Sequence, residues 1–319
     1  MTALAETIAA QAELLESALA VPVDDAAERI GRSRRLWLVG TGTSQHAAEL
    51  GALMFGPGRR DARWRSSAAF CGDPPALTAD DAVVVISHTT ETAFARRARR
   101  DALESGASVV SITAQGKGWP EAIEAAPLER AETYTASYLA ALVVLARLSV
   151  AVGEPGFEER QLSEVPGRVR AAAQEPVALD AAPDRLIVLA GVGPAAVTAR
   201  EGALKLREGA RLTAEGYEAE YLLHGTAVPL GASDALLAIQ PSNDPFGMLD
   251  LLSAAAGSEG LEVRTVSEPA GLHPLLAQIP LTVRLQRLAS ELADARGFDP
   301  DKVIVGSWAG DRLWQAGAP

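Results

Sequence analysis

The sequence predicts an α/β protein built from two parallel sheets, each flanked by helices on both faces in three layers. Three observations carry that expectation. The run Ala82-Val-Val-Val-Ile86 is continuous and β-branched, as strands buried on both faces of a parallel sheet are. Strand patterns alternate with helical ones along the chain. A strand followed by G-x-G occurs twice, LWLVGTG at 36–42 and IVLAGVG at 187–193, offset by 191 − 40 = 151 residues. That offset suggests a duplication in which each copy is one domain. The expected organisation is an N-terminal helix over 1–24, a first domain over 25–155, a connecting helix over 156–180 and a second domain over 181–319.

Taken in order, residues 2–20 read as an amphipathic helix, with Leu4, Ile8, Leu15 and Leu19 at near-helical intervals and Pro22 helping to end it. A second helix covers about 24–31. Leu36–Val39 is a short buried strand, and Gly40-Thr-Gly-Thr-Ser44 a turn leading into a helix over Gln45–Phe55 with Ser44 as its N-cap. The Ala82–Ile86 strand runs into Ser87-His-Thr-Thr-Glu-Thr92 and a helix over about 91–105. Ser108–Thr113 is a further strand, Tyr134–Val152 a long apolar helix broken by Gly153–Gly156, and 157–180 a connecting helix. The pattern then restarts: strand Arg185–Ala190, turn Gly191–Pro194, helix Ala195–Gly209. Strands follow at Ala235–Ile239 and Val263–Val266, with helices near 246–256 and 284–296.

Bulk properties narrow the function. The chain has 319 residues, 48% hydrophobic and 22% charged, as expected of a globular protein with ample core. Its net charge is −12 and it has no basic block, which speaks against a nucleic-acid partner. Cys71 is the lone cysteine, so no intrachain disulfide and no Cys-rich zinc site can form. His46, His88, His224 and His273 show no metal-ligand spacing. Neither a metal nor a cofactor is expected. Glu6, Glu13 and Glu16 with no early Lys or Arg make the N-terminus unlike a secretory signal. The most apolar run, Leu139–Ala146, is too short to cross a bilayer. The expectation is a cytoplasmic protein without a membrane partner.

Two stretches carry candidate chemistry. Ser87–Thr92 follows a buried parallel strand and precedes a helix, where such sheets bind ligands, and presents four hydroxyls where capping needs one. This points to an anion. The turn at 40–44 also suits anion binding, but it is not a full G-x-G-x-x-G, because Gln45 stands three residues beyond Gly42. In EGALKLREGARLTAEGYEAEYLLHG (201–225), Glu201, Lys205 and Glu208 lie at i, i+4 and i+7 on one helix face, with Ala203, Leu204 and Leu206 off it. After Gly209 the pattern loosens into a polar segment ending at His224-Gly225. Spacing alone reads the stripe as a solvated face with a surface Glu–Lys pair. A carboxylate, an amine and an imidazole so close in sequence could also move protons on a small molecule.

These residues resemble a known family, the tandem sugar-isomerase (SIS) domain proteins, among them the isomerase portion of glucosamine-6-phosphate synthase. Gly42-Thr43-Ser44 is similar to the family's CGTS turn, and SHTTET at 87–92 stands where the family has SQSGET. EGALKLRE at 201–208, with Ala214-Glu215 and His224-Gly225, resembles EGALKLKE…AEAY…HG. The likeness spans about residues 25–300. It implies that Ser87, His88, Thr89, Thr90 and Thr92, with Gly42, Thr43 and Ser44, hold the phosphate of a phosphorylated sugar or amino sugar. It implies Glu208 as the base moving a proton between C1 and C2, Lys205 as its assistant, and His224 as the ring-opening group reaching the site from a second subunit. A homodimer follows. His88 replaces the loop's Gln and Thr90 its Gly; Glu132-Thr-Tyr-Thr135 stands for ASTK, Tyr221 for the Glu before HG, and Thr226 for the Pro after it. The family's C-terminal N-L-A-K is not visible, and no glutamine-hydrolysing domain or N-terminal cysteine precedes the isomerase-like part. The resemblance therefore implies an isomerase, deaminase or deglycase sharing enolisation at C1–C2, and glutamine-dependent amination by this chain alone is not expected. A non-catalytic sugar-phosphate sensor is the alternative. A Rossmann-type nucleotide binder is a third; it would want an acidic end to the second strand, where this chain reads Arg59-Arg-Asp-Ala-Arg63.

Overall fold

The computed structural model describes residues 1–56, 60–154, 156–177, 179, 182–183, 185–240, 244 and 246–319. The elements in order are α1 Ala3–Ala20, α2 Asp24–Gly31, β1 Arg35–Gly40, α3 Thr43–Phe55, β2 Asp61–Ser66, α4 Ser67–Gly72, β3 Asp81–Ile86, α5 Ala93–Glu104, β4 Ser108–Ala114, β5 Ala122–Ala126, α6 Ala136–Ala151 and α7 Glu159–Ala172. Then follow β6 Leu186–Gly191, α8 Pro194–Ala210, β7 Ala214–Glu218, α9 Ala219–Tyr221, an irregular turn Leu222–Thr226, β8 Asp234–Gln240, α10 Met248–Ser258, β9 Glu262–Ser267, α11 Pro274–Ala295, a short turn Gly306–Ala309 and α12 Asp311–Trp314. The described residues form two compact units, one of 12–129, 134–166 and 304–319, the other of 1–11, 130–133 and 167–303. The expected boundaries at Pro155, Asp180 and Ala181 lie outside the described residues.

The α/β expectation holds: both sheets are parallel throughout. The first has the order β2-β1-β3-β4-β5 and the second β7-β6-β8-β9. Alternation along each central strand supplies two apolar faces. In the first sheet Trp37, Val39, Val83 and Val85 pack with Phe70 of α4 and Ala95 and Ala98 of α5. On the opposite face Leu38 meets α3 at Gly51, where Leu145 of α6 also arrives. In the second sheet Ile187, Leu189, Leu237 and Ile239 pack under α8 and α11, while Val188, Ala190, Leu236 and Ala238 face Leu222, Leu249 and Leu252. Burying each such Val or Leu contributes about 1.5–3 kcal/mol over leaving it exposed.

Three strands escape the sequence reading, β2, β5 and β7, and all three are sheet edges. An edge strand has one neighbour and a solvent side, so DARWRS, AIEAA and AEGYE carry no continuous apolar run. The polar segment after Gly209 thus contains a strand, β7, paired to β6 with Ala214 opposite Ile187, before α9 and the irregular turn. Ser44 is not the cap of α3: the helix begins at Thr43, the cap position is Gly42, and no side chain caps it. The helix expected near 284–296 starts ten residues earlier, at Pro274, and runs through the internal Pro280.

The two G-x-G turns superpose in conformation as well as sequence. Gly42 has φ 58° and ψ −129°, and Gly193 φ 57° and ψ −122°, a region that glycine alone enters readily. The first glycine of each turn serves differently, by letting the strand end touch the next helix. A Cβ on Gly40 would lie 2.3 Å from the Ser44 carbonyl oxygen, and one on Gly191 2.4 Å from the carbonyl carbon of Ala195. These neighbours are backbone and cannot rotate away. Gly40→Ala and Gly191→Ala are each expected to destabilise their unit by about 1–3 kcal/mol or more, read as a lower urea midpoint. Unchanged midpoints would contradict this close approach.

Candidate active site

In the first sheet β1 lies between β2 and β3, so the chain leaves β1 and β3 in opposite directions at the switch point. Val39 stands opposite Val85, which brings the ends of both strands side by side. The turn carrying Gly42, Thr43 and Ser44 and the turn Ser87–Thr92 therefore emerge as neighbours, although more than 40 residues apart in sequence. Ser87 lies on the same strand face as Val83 and Val85, the face under α5. It is 3% exposed, and its Oγ has no hydrogen-bond partner among the described residues. Such a buried hydroxyl is unfavourable unless something fills the space before it. Thr92 holds the cap position of α5 but makes no side-chain cap bond. An unpartnered hydroxyl and an uncapped helix N-terminus both offer donors of the kind that anions accept from.

Within the turn, Thr90 has φ 62°. A β-branched residue in the left-handed region is strained by about 1–3 kcal/mol, and such strain gathers where ligands bind. Thr90 Oγ1 donates to the Thr89 carbonyl at 2.6 Å, and the Glu91 N–H donates to Thr89 Oγ1 at 3.2 Å, fixing the turn internally. His88 points elsewhere. Its Nε2 accepts from the Glu129 N–H at 3.1 Å, and its ring meets Tyr134 edge to face at 5.3 Å. The Glu129 carboxylate in turn accepts from the N–H groups of Thr135, Ala136 and Ser137, closing the start of α6. His88 thus ties the turn to α6 through Glu129, a role that depends on residues 41 positions apart and was not readable beforehand.

Burial holds the His88 imidazole below its ordinary range; the Glu129 carboxylate opposes this and the Lys117 ammonium adds to it. The unfolded chain takes up a proton near pH 6.5 that folded His88 resists. Its contribution to stability is therefore complete above about pH 6.5 and is lost as pH falls from there towards the depressed folded value. His273, also pushed down by burial, acts in the same direction. His88→Gln keeps an acceptor for Glu129 without the titration. Denaturant titrations at pH 7.5 and 5 should show a smaller acid loss for His88→Gln than for the wild type; an equal loss would contradict the assignment.

The other unit holds the Glu201–Glu208 stripe on α8. The structure overturns the solvated-face reading: Glu201 and Lys205 are both fully buried. Leu204, expected to pack inward, is only half-buried. The cause is the close seat of α8 between sheet and α11. A Cβ on Gly202 would lie 2.5 Å from Leu285 and 2.9 Å from Leu189, so nothing larger fits and the flanking residues are drawn in. Lys205 Nζ lies 2.5 Å from Glu208 Oε2 and 3.6 Å from Glu201 Oε1. Glu208 keeps 21% of its side chain exposed, so one acidic side chain of the triad is shut in and the other is partly accessible. An accessible carboxylate hydrogen-bonded to a buried ammonium can accept a proton and hand it on. Glu201 as a buried third member was missed, because i,i+4 spacing is the same on a surface or in a core.

His224 lies in the irregular turn after α9 with 74% of its side chain exposed, 3.9 Å from Glu220. Its backbone leaves the helix there, and Gly225 has φ 102°. Nearby, Tyr217 donates to Glu215, which raises its phenol to about pKa 12 and keeps it neutral.

Residues 30–119 match the family model described as the SIS domain. The chain is 27% identical over 320 residues to the glutamine–fructose-6-phosphate aminotransferase [isomerizing] of Chlorobaculum tepidum, an alignment covering 88% of this chain and 51% of that protein. It thus spans about half the length of the curated relatives it matches. In fold it is similar to the glucosamine-6-phosphate deaminase of Thermotoga maritima, with TM-score 0.76 and 17% identity over 95% of this chain and 97% of that one. It is also similar to the tagatose-6-phosphate ketose/aldose isomerase of Escherichia coli, with TM-score 0.76 and 18% identity over 96% and 97%. No described helix is long and apolar enough to cross a membrane.

Proposed function

We propose that this chain is a phosphosugar enzyme that moves a proton between C1 and C2 of a ketose or amino-sugar phosphate, as an aldose–ketose isomerase, deaminase or deglycase, with its second sheet a second SIS-type copy. The observation that carries the reading is the fully buried Lys205 held 2.5 Å from the partly accessible Glu208. A buried ammonium beside one carboxylate is a structural pair; beside two, one of them reaching solvent, it suits proton traffic. In this reading the Glu208 carboxylate removes the proton from one carbon while Lys205 gives one to the carbonyl oxygen, forming the enediol. The other hydroxyl then returns its proton to Lys205, and Glu208, whose partly exposed side chain lets its proton exchange with solvent, delivers a proton to the neighbouring carbon. Lys205 thus assists the transfer, and its ammonium pairs with the Glu208 carboxylate before it. His224 opens the sugar ring, and its exposed position fits service to a second subunit of a homodimer. The phosphate lies on Ser87, Thr89, Thr90 and Thr92 with Gly42, Thr43 and Ser44, where the Ser87 hydroxyl lacks a partner among the described residues.

The test is exchange. Fructose 6-phosphate, glucosamine 6-phosphate, tagatose 6-phosphate and a fructosamine 6-phosphate are incubated with the protein in deuterated water and the C1 and C2 protons followed by NMR. Deuterium entering one of these substrates supports the enzyme reading. Tight binding with no exchange in any of them favours the sensor.

A further inference from the structure

Lys117 sits beside the Ser87–Thr92 turn. It is one of three lysines in a chain whose other 26 basic residues are arginines (29 − 3). It lies in the β4–β5 connection between two left-handed glycines, Gly116 with φ 72° and Gly118 with φ 75°. The Gly116 N–H donates to Glu124 at 2.8 Å, which ties this connection to β5. The ladder between β3 and β4 continues into the turn, with the Ser87 N–H donating to the Ile112 carbonyl and the Ala114 N–H to the His88 carbonyl. The connection is thereby held against the turn. Lys117 Nζ lies 3.5 Å from Glu91 Oε1. The lysine side chain is only 19% exposed, whereas that of Glu91 is 79% exposed.

A sugar phosphate carries a charge of about −1.5 to −2 at neutral pH. The donors so far assigned to it, hydroxyls and helix N–H groups, are neutral, and the protein as a whole is at −12. A fixed cation at the turn would supply the missing charge, and Lys117 is anchored there while its present partner is not. We propose that Lys117 is the phosphate counter-charge of this chain, and that Glu91 occupies its ammonium in the ligand-free state and swings out when the phosphate arrives. The inference rests on the phosphate reading of the Ser87–Thr92 turn given above.

Calorimetric titration with fructose 6-phosphate and with inorganic phosphate tests it on the wild type, Lys117→Gln, Lys117→Arg and Glu91→Gln. Lys117→Gln is expected to weaken both ligands about 10- to 100-fold, the loss of one charge-assisted contact. Lys117→Arg keeps the charge and should recover most of it. Glu91→Gln removes the competitor and should tighten binding. These opposite signs separate the proposal from a merely structural ion pair, whose two halves would shift affinity in the same direction. Unchanged affinity in Lys117→Gln, or weakening in Glu91→Gln, overturns the proposal with the phosphate reading intact. If the wild type binds neither probe, the phosphate reading itself falls and this inference falls with it. Melting curves confirm that each variant is folded.

Discussion

Glu208→Gln is expected to lose about 10²- to 10⁴-fold in C1–C2 proton exchange while still binding sugar phosphate, because the amide keeps the shape and cannot accept the proton. Glu208 is the member of the buried triad with a path to solvent, and it holds the short contact to Lys205. Lys205→Arg should also impair exchange: guanidinium stays charged, while an ammonium in a buried site can release a proton. Glu201→Gln should be milder, since Lys205 retains Glu208 at 2.5 Å. Wild-type exchange in Glu208→Gln, with the true substrate identified, would remove the base from this mechanism.

Lys205→Met should be the most destabilising single change in the site. It leaves the fully buried Glu201 carboxylate without the ammonium 3.6 Å away. Stripping one partner from a buried ion pair costs about 3–5 kcal/mol, because the remaining charge has lost its compensation and cannot regain water. Removing both charges can be nearly neutral. The double variant Glu201→Gln with Lys205→Met should therefore be more stable than Lys205→Met alone, an interaction visible in a double-mutant cycle of urea midpoints. If Lys205→Met unfolds at the wild-type midpoint, the pair contributes nothing to the fold and its burial needs another explanation.

These two experiments address different properties of one helix. Exchange reads the chemistry of the carboxylate that reaches solvent. Urea reads the carboxylate that does not. A catalytic stripe and a structural salt bridge have the same i, i+4, i+7 signature, so only the combination tells them apart.

Periodicity alone determined that this is an α/β protein with a repeated strand–G-x-G–helix unit. A strand buried on both faces must be apolar at every position, so Val83–Val85 and Ile187–Ala190 announce themselves. A helix starting directly beyond such a strand leaves room for nothing larger than glycine at the strand end, so Gly40 and Gly191 were visible too. The hydroxyl-rich turn and the acid–base stripe were also legible as residue types at fixed spacing. Tertiary structure alone decided the rest. β2, β5 and β7 became strands because a central strand offered them a partner, not because their own sequences demanded it. Lys205 and Glu201 became buried because Gly202 lets α8 press against Leu189 and Leu285, a fact that helical spacing cannot contain. Lys117 came to the Ser87–Thr92 turn because β4 pairs with β3, and His88 met Glu129 for the same kind of reason. Sequence spacing reports neighbours along one element; solvation and charge pairing depend on which elements lie against each other, and chain order does not specify that.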